Sequence, residues 1–233
     1  VTADTIYALS SGSPPAAIAI IRVSGPRADA VLERLAGRLP PPRVATLAEL
    51  AAAGEILDRA LVLRFPGPAS ATGEDVAELH LHGGRAVVAR VLEVLAAVEG
   101  LRPAQPGEFT RRAFENGRID LAEAEGLADL LQAETEAQRR AALAMAGGAL
   151  SRRIGGWQER LLALAAGLEA VLDFSHEDDV GEGLPAGWRT DLKNLRDEIQ
   201  QALAAPPAER LRDGIRVVIA GPPNSGKSSL LNW

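Results

Sequence analysis

The 233-residue chain contains no cysteine, which excludes disulfide scaffolds, thiolate zinc sites and thiol nucleophiles. Aromatic residues make up only 3%, so a core has to be filled with Ala, Val and Leu, which favours close helix packing over a wide aromatic-lined pocket. Lysine occurs only as Lys193 and Lys227 in a chain that otherwise uses arginine; a site that keeps lysine calls for a compact point charge. No apolar run approaches the roughly 20 residues that span a bilayer, and the first residues lack a basic-then-apolar leader pattern. The expectation is a cytoplasmic protein without a membrane segment. Charge excess is also small. With 25 basic against 31 acidic side chains the net is −6, which fits neither a polybasic nucleic-acid binder nor a charged disordered tail. What is present, 47% apolar residues over this length, predicts two folding units.

The first hundred residues mix strand and helix signals. Thr5 to Leu9 and Ala17 to Val23 read as strands, the second ending in Arg22 and a Ser24-Gly25-Pro26 turn. A helix is expected from Pro26 to Gly37, then strands over Ala60 to Phe65 and Asp75 to His82, and a helix over Arg85 to Val98. From Pro103 the strand signals stop. Asp120 followed by Glu123 predicts a capping box for a helix reaching Ala133. Leu143, Gly147, Leu150, Ile154, Trp157, Leu161, Leu164, Leu168 and Val171 then follow at alternating spacings of four and three, an unbroken heptad stripe. Glycines 148, 155, 156 and 167 on this segment are expected to mark close approaches of neighbouring helices. A further helix is expected from Thr190 to Ala204. The fold class is α+β: a mixed α/β domain, then an incomplete helical bundle that calls for partner helices elsewhere.

Gly221-Pro222-Pro223-Asn224-Ser225-Gly226-Lys227-Ser228 has the P-loop spacing of glycine, four residues, then Gly-Lys-Ser. Backbone N–H groups and a helix start cradle phosphate there, lysine neutralises β and γ oxygens, and serine ligates Mg²⁺. The flanks agree: Ile215 to Ala220 reads as a buried strand and Ser229 to Asn232 as a helix start. The alternative is a Gly-Ser surface turn. The later acidic Mg²⁺ residue, the switch segments and a base-reading loop are absent from the chain, so it is expected not to hydrolyse nucleotide by itself.

On the strand Asp75 to His82, Ala77, Leu79 and Leu81 face one way and Glu78, His80 and His82 the other. Three readings of that polar row stay open: a metal site, a solvated face, or a ligand site in which Glu78 accepts from a planar pair of N–H donors on a heterocycle. Arg22, ending a buried strand, calls for a carboxylate or another anion. The segment Pro106 to Arg118 reads as a short helix with a glycine stop. The acidic run Asp173, Glu177, Asp178, Asp179 and Glu182 around His176 reads as a solvated linker, with cation binding as the alternative.

Taken in order, Asp4-Thr5-Ile6, Ile20 to Gly25, Thr72-Gly73-Glu74-Asp75, Glu78-Leu79-His80 with His82-Gly83-Gly84, Pro106 to Thr110, Asn116 to Glu125 and the P-loop closely resemble the MnmE (TrmE) family of tRNA uridine-modification GTPases over essentially the whole chain. The resemblance implies a folate-binding and dimerisation domain at 1–118, an incomplete helical domain at 119–210, and the start of a P-loop GTPase domain at 211–233, truncated just after the loop. It implies folate contacts at Arg22, Glu78 and Arg118, the ligand being a tetrahydrofolate derivative (5-formyl- or 5,10-methylene-tetrahydrofolate). It implies GTP contacts at Asn224, Ser225, Gly226, Lys227, Ser228 and Ser229, with Mg²⁺ at Ser228 and K⁺ at Asn224. It further implies a homodimer formed through the amino-terminal domain and work with the FAD-dependent partner MnmG on the wobble uridine of tRNA. No catalytic residue for the modification step is assigned. The chain departs from the family in Ser13 to Ala17, where a glycine-rich loop is usual, in arginine rather than lysine at 118, and in lacking the carboxy-terminal cysteine motif. Nine arginines against nine acidic residues over 101–160 give no basic footprint for tRNA in this segment. A stand-alone folate-dependent aminomethyltransferase and a structural dimerisation module are the alternatives.

Overall fold

The structure is a computed structural model and describes residues 4–173, 184–204 and 218–231. It divides into two compact units between Ala124 and Glu125. In the first, six strands, β1 (Thr5–Leu9), β2 (Ile18–Ser24), β3 (Thr46–Ala52), β4 (Glu55–Phe65), β5 (Val76–His82) and β6 (Leu101–Pro103), form one sheet in the order β3-β4-β5-β2-β1-β6. Only the β1–β6 pair is parallel. Helices α1 (Ala28–Ala36), α2 (Arg85–Ala96) and α3 (Glu108–Glu115) complete the unit.

Strand alternation decides what is buried. Ala19, Ile21 and Val23 of β2, Leu79 and Leu81 of β5, and Ala60 and Val62 of β4 form one core with Val31, Leu32 and Leu35 of α1 and Val88, Val91 and Leu95 of α2. The opposite face carries Ile18, Ile20, Arg22 and Ser24 of β2 beside Glu78, His80 and His82 of β5. The expected strand starting at Ala60 begins at Glu55 instead and pairs with β3, which the sequence reading missed. The spacing of its polar residues hid it: Thr46 and Glu49, three apart, interrupt an Ala and Leu run that also reads as helix. β6 is three residues long and rests on pairing to β1 rather than on any local pattern.

A buried charge cluster ties α3 to the sheet. Arg112 and Glu108, each with 1% of the side chain exposed, pair at 3.2 Å. Arg112 also reaches Asp4 (2.9 Å) and Glu74 (3.1 Å), and Arg102 donates to both Glu108 and Asp4. Ser24 at the end of β2 donates to Glu74 and shares a hydrogen bond with Thr72. The cluster therefore joins the amino terminus, β2, the 70–74 loop and α3.

The second unit holds α4 (Leu121–Gln132), which begins in the first, α5 (Glu136–Ala146), α6 (Ala149–Asp173), α7 (Trp188–Ala204) and a short α8 (Lys227–Leu231). The predicted Asp120–Glu123 capping box is present, with reciprocal bonds of 2.8 Å. The heptad stripe is not one helix. It breaks at Gly147 and Gly148, the latter at φ 73°, so α5 and α6 are separate. The glycine expectation also needs correcting: among the described residues nothing lies within 4 Å of a Cβ placed on Gly155 or Gly156, and at Gly167 Pro185 and Trp188 lie at ordinary contact distance. The close approach is at Gly126, where a Cβ would meet the Ala146 nitrogen at 2.4 Å. Trp157 Nε1 donates to Glu198 and Trp188 Nε1 to the Leu164 carbonyl, joining α6 to α7. Much of the apolar stripe stays exposed, at Leu143, Ile154 and Leu161, and so does Leu131 of α4, at 82%. Among the described residues no helix is long and apolar enough to cross a membrane. The acidic run beyond Asp173 lies outside the described residues.

The Arg102 hydrogen bonds, working against the penalty of burial, hold the Glu108 carboxyl down to about 2, below its ordinary 4.5. A depressed folded-state value means that its stabilisation is full above about pH 4.5 and is lost as pH falls toward about 2. Glu108→Gln should therefore cost about 3 kcal/mol at neutral pH, the scale of a broken buried pair. Denaturant titrations at several pH values should show the variant losing less further stability across the acid window than the parent does.

Candidate functional site

The register Arg22↔Glu78 sets these two residues side by side on adjacent antiparallel strands. Arg22 Nε (3.0 Å) and NH2 (2.7 Å) both donate to Glu78 Oε1. His80, two residues along β5 on the same face, lies with Nε2 3.1 Å from Glu78 Oε2. Glu78 is 15% exposed. Burial works against its charge, but the hydrogen bonds from His80 and Arg22 and the Arg22 charge outweigh it, so the carboxyl titrates below the ordinary range. It is an ionised, half-buried acceptor at the middle of an open sheet face.

That face has two ends. Toward Ser24 it is covered by α3, whose Phe109 ring centroid lies 5.8 Å from the Arg22 guanidinium carbon, within reach of a cation–π contact. Toward His82 it is open, with Ile18 58% exposed and Leu61 also exposed. There Asp58 of β4 accepts from His82 Nδ1 (2.7 Å) and from the His82 backbone N–H (2.8 Å). Burial raises and the His82 hydrogen bonds lower the Asp58 carboxyl, and the net shift is downward.

Of the three residues that the family resemblance leads one to expect at a folate, the structure joins Arg22 and Glu78 directly. Arg118 is held by the 70–74 loop: its Nε donates to the Ser70 carbonyl (3.2 Å). In the same loop Thr72 and Glu74 bond Ser24, two residues from Arg22. Among the described residues no group of three His, Cys, Asp or Glu side chains is placed to hold a metal ion, and the polar row of β5 makes the Glu78–His80 and Asp58–His82 contacts instead. Sequence reasoning missed Asp58, Ser24 and Arg112 as contributors. The Glu108 to Arg112 spacing of four signals a helix ion pair, but nothing local indicates that Asp58 meets His82 across 24 positions.

The P-loop residues lie in one turn and α8. Asn224 (φ 63°) and Gly226 (φ 82°) bend the loop, and Lys227 Nζ donates to the carbonyls of Gly221 (3.0 Å) and Pro222 (2.7 Å). Ser228 and Ser229 follow within α8. Of the strand expected before the loop, residues 215–217 lie outside the described residues, and 218–220 are not in a strand.

A sheet domain with an arginine–carboxylate pair on its open face, followed by a helical unit and a P-loop sequence, defines an α+β multidomain protein. Residues 5–118 match the family model described as GTP-binding protein TrmE N-terminus, and residues 121–228 match the MnmE helical domain. The chain belongs to the MnmE (TrmE) family. It is 62% identical to a tRNA modification GTPase MnmE of Novosphingobium aromaticivorans, covering 98% of this chain and 55% of that protein. It is 61% identical to one of Erythrobacter litoralis (98% and 54%) and 58% identical to one of Sinorhizobium medicae (98% and 52%). The chain thus spans about half the length of the curated relatives it matches.

Gly73 makes the tight turn of the loop that holds Arg118. Its φ is 81°, and a Cβ there would come within 2.9 Å of the Asn116 side chain and 3.2 Å of Arg118 Cγ. Gly73→Ala should therefore lower stability by about 1–3 kcal/mol, measurable by thermal unfolding, and should displace the Arg118 side chain from the Ser70 carbonyl.

Proposed function

We propose that this chain is the folate-binding part of a tRNA modification GTPase, and that its sheet domain holds a tetrahydrofolate derivative at Glu78. The observation that carries the reading is the ionised Glu78 carboxylate, fixed by Arg22 and His80 on an open sheet face. A carboxylate offers about four acceptor positions, and Arg22 occupies two of them on Oε1. A planar edge with two N–H donors, such as that of a pterin, takes one position on each oxygen, so Arg22 must release one bond as the edge docks. The freed guanidinium is then available to an anionic or carbonyl group of the ligand. Arg118 is the third contact proposed, approaching from the 70–74 loop. The bound cofactor would supply the one-carbon unit; the chain's residues bind and orient it.

The remainder of the reading rests on family membership and on the relatives' names. GTP is proposed to sit on the P-loop, held by Asn224, Ser225, Gly226, Lys227, Ser228 and Ser229, with Mg²⁺ at Ser228 and K⁺ at Asn224. The body of the GTPase domain, further helices over the exposed stripe of the helical unit, a second copy docked through the sheet domain, MnmG and tRNA belong to the proposed whole assembly. That assembly is proposed to act on carbon 5 of the wobble uridine in the cytoplasm.

Calorimetry with 5-formyltetrahydrofolate tests the central claim. The 233-residue chain should bind in the micromolar range, and Glu78→Gln and Arg22→Ala should each weaken binding at least about ten-fold, the scale of a charge-assisted hydrogen bond, while still unfolding cooperatively. A parent chain that binds no folate, or a Glu78→Gln variant that binds equally well, sinks the reading.

A further inference from the structure

Arg22 alone does not orient Glu78. Both of its hydrogen bonds end on one oxygen, Oε1, and two bonds to a single atom leave the carboxylate plane free to turn about that atom. The bond on the other oxygen is the one to His80 Nε2, at 3.1 Å. Three points, two donors on Oε1 and one on Oε2, fix a plane. Edge recognition needs a fixed plane, because two parallel N–H bonds are made only when donor pair and carboxylate are coplanar.

His80 is itself placed by the sheet. It lies opposite Ile20 of β2 and Leu61 of β4 in the strand register, so its cross-strand neighbours offer its ring no polar side chain. An ionised carboxylate only accepts, so Nε2 must carry the proton in this contact, leaving Nδ1 bare in the neutral ring. The next histidine on this face is held differently: His82 meets its carboxylate partner, Asp58, through Nδ1. Two histidines on one strand thus make opposite use of their ring nitrogens.

We propose that His80 is a positioning residue: its Nε2–H fixes the plane of the Glu78 carboxylate and thereby sets selectivity for a ligand edge with two coplanar N–H donors. This rests on the folate reading above and adds to it the residue that enforces edge selectivity. Removing the donor should weaken binding of a two-donor pterin and reduce discrimination against an analogue whose 2-amino group is replaced by methyl. Glutamine places an amide N–H near the position of Nε2 and should restore both.

The test uses the 233-residue chain, His80→Leu and His80→Gln, with 5-formyltetrahydrofolate and its 2-desamino-2-methyl analogue as probes, and ¹⁵N spectra of the imidazoles. His80→Leu should bind the folate about ten-fold more weakly and discriminate less between the two probes, His80→Gln should lie within about three-fold of the parent, and the parent should show a protonated Nε2 at His80. Loss of all folate binding by the parent overturns the folate reading and this inference together. A parent that binds while His80→Leu binds equally well, or while His80→Gln is as weak as His80→Leu, overturns the inference and leaves the folate reading standing. If His80→Leu does not fold, His80→Gln and the tautomer decide: a bare Nε2 in the parent overturns the inference.

Discussion

A guanidinium taken out of water is tolerated only where carboxylates surround it, and Arg112 is such a group. Asp4, Glu74 and Glu108 share it, and they come from the amino terminus, the 70–74 loop and α3 itself. Separating any of these elements leaves a charge buried without its partner. The cost of that separation seats α3 on one end of the open sheet face and puts Phe109 against Arg22. Ser24, bonded to Glu74 and Thr72, connects the same cluster to the strand that carries Arg22.

The site follows from this frame. One face of the sheet is sealed by α1 and α2 over an aliphatic core, so strand alternation sends the polar side chains of β2 and β5 to the other face. α3 covers the Ser24 end of that face, with Phe109 against Arg22, and Glu78 and His80 follow Arg22 toward the open end. A carboxylate there keeps its charge because hydrogen bonds outweigh burial, and burial in turn strengthens each hydrogen bond it makes. Such a group suits recognition of a planar donor edge better than proton transfer near neutral pH, because its affinity for a proton is lowered rather than raised.

The helical unit has the opposite character. Its helices carry apolar residues on more than one side, and α6 with α7 buries few of them, Leu164 and Leu195 among those that are covered. Tryptophan indoles satisfy their N–H groups on Glu198 and the Leu164 carbonyl, which fixes how α6 meets α7 without closing a bundle.

The α+β class, the alternation of β5, the Asp120 capping box, the P-loop spacing and the family were legible in the residues alone, because each depends on residues close together in the chain or on an ordered set of short motifs. β3, β6 and the break between α5 and α6 were not: Thr46 and Glu49 blur one strand, three residues are too few to signal another, and a heptad spacing continues through Gly147 and Gly148 although the backbone does not. That Arg22 pairs with Glu78, that Arg112 gathers three carboxylates, that Asp58 meets His82 and that Arg118 packs on the 70–74 loop came from the three-dimensional arrangement. Those contacts join residues tens of positions apart, and strand register and helix placement, which no local pattern encodes, bring them within hydrogen-bonding distance.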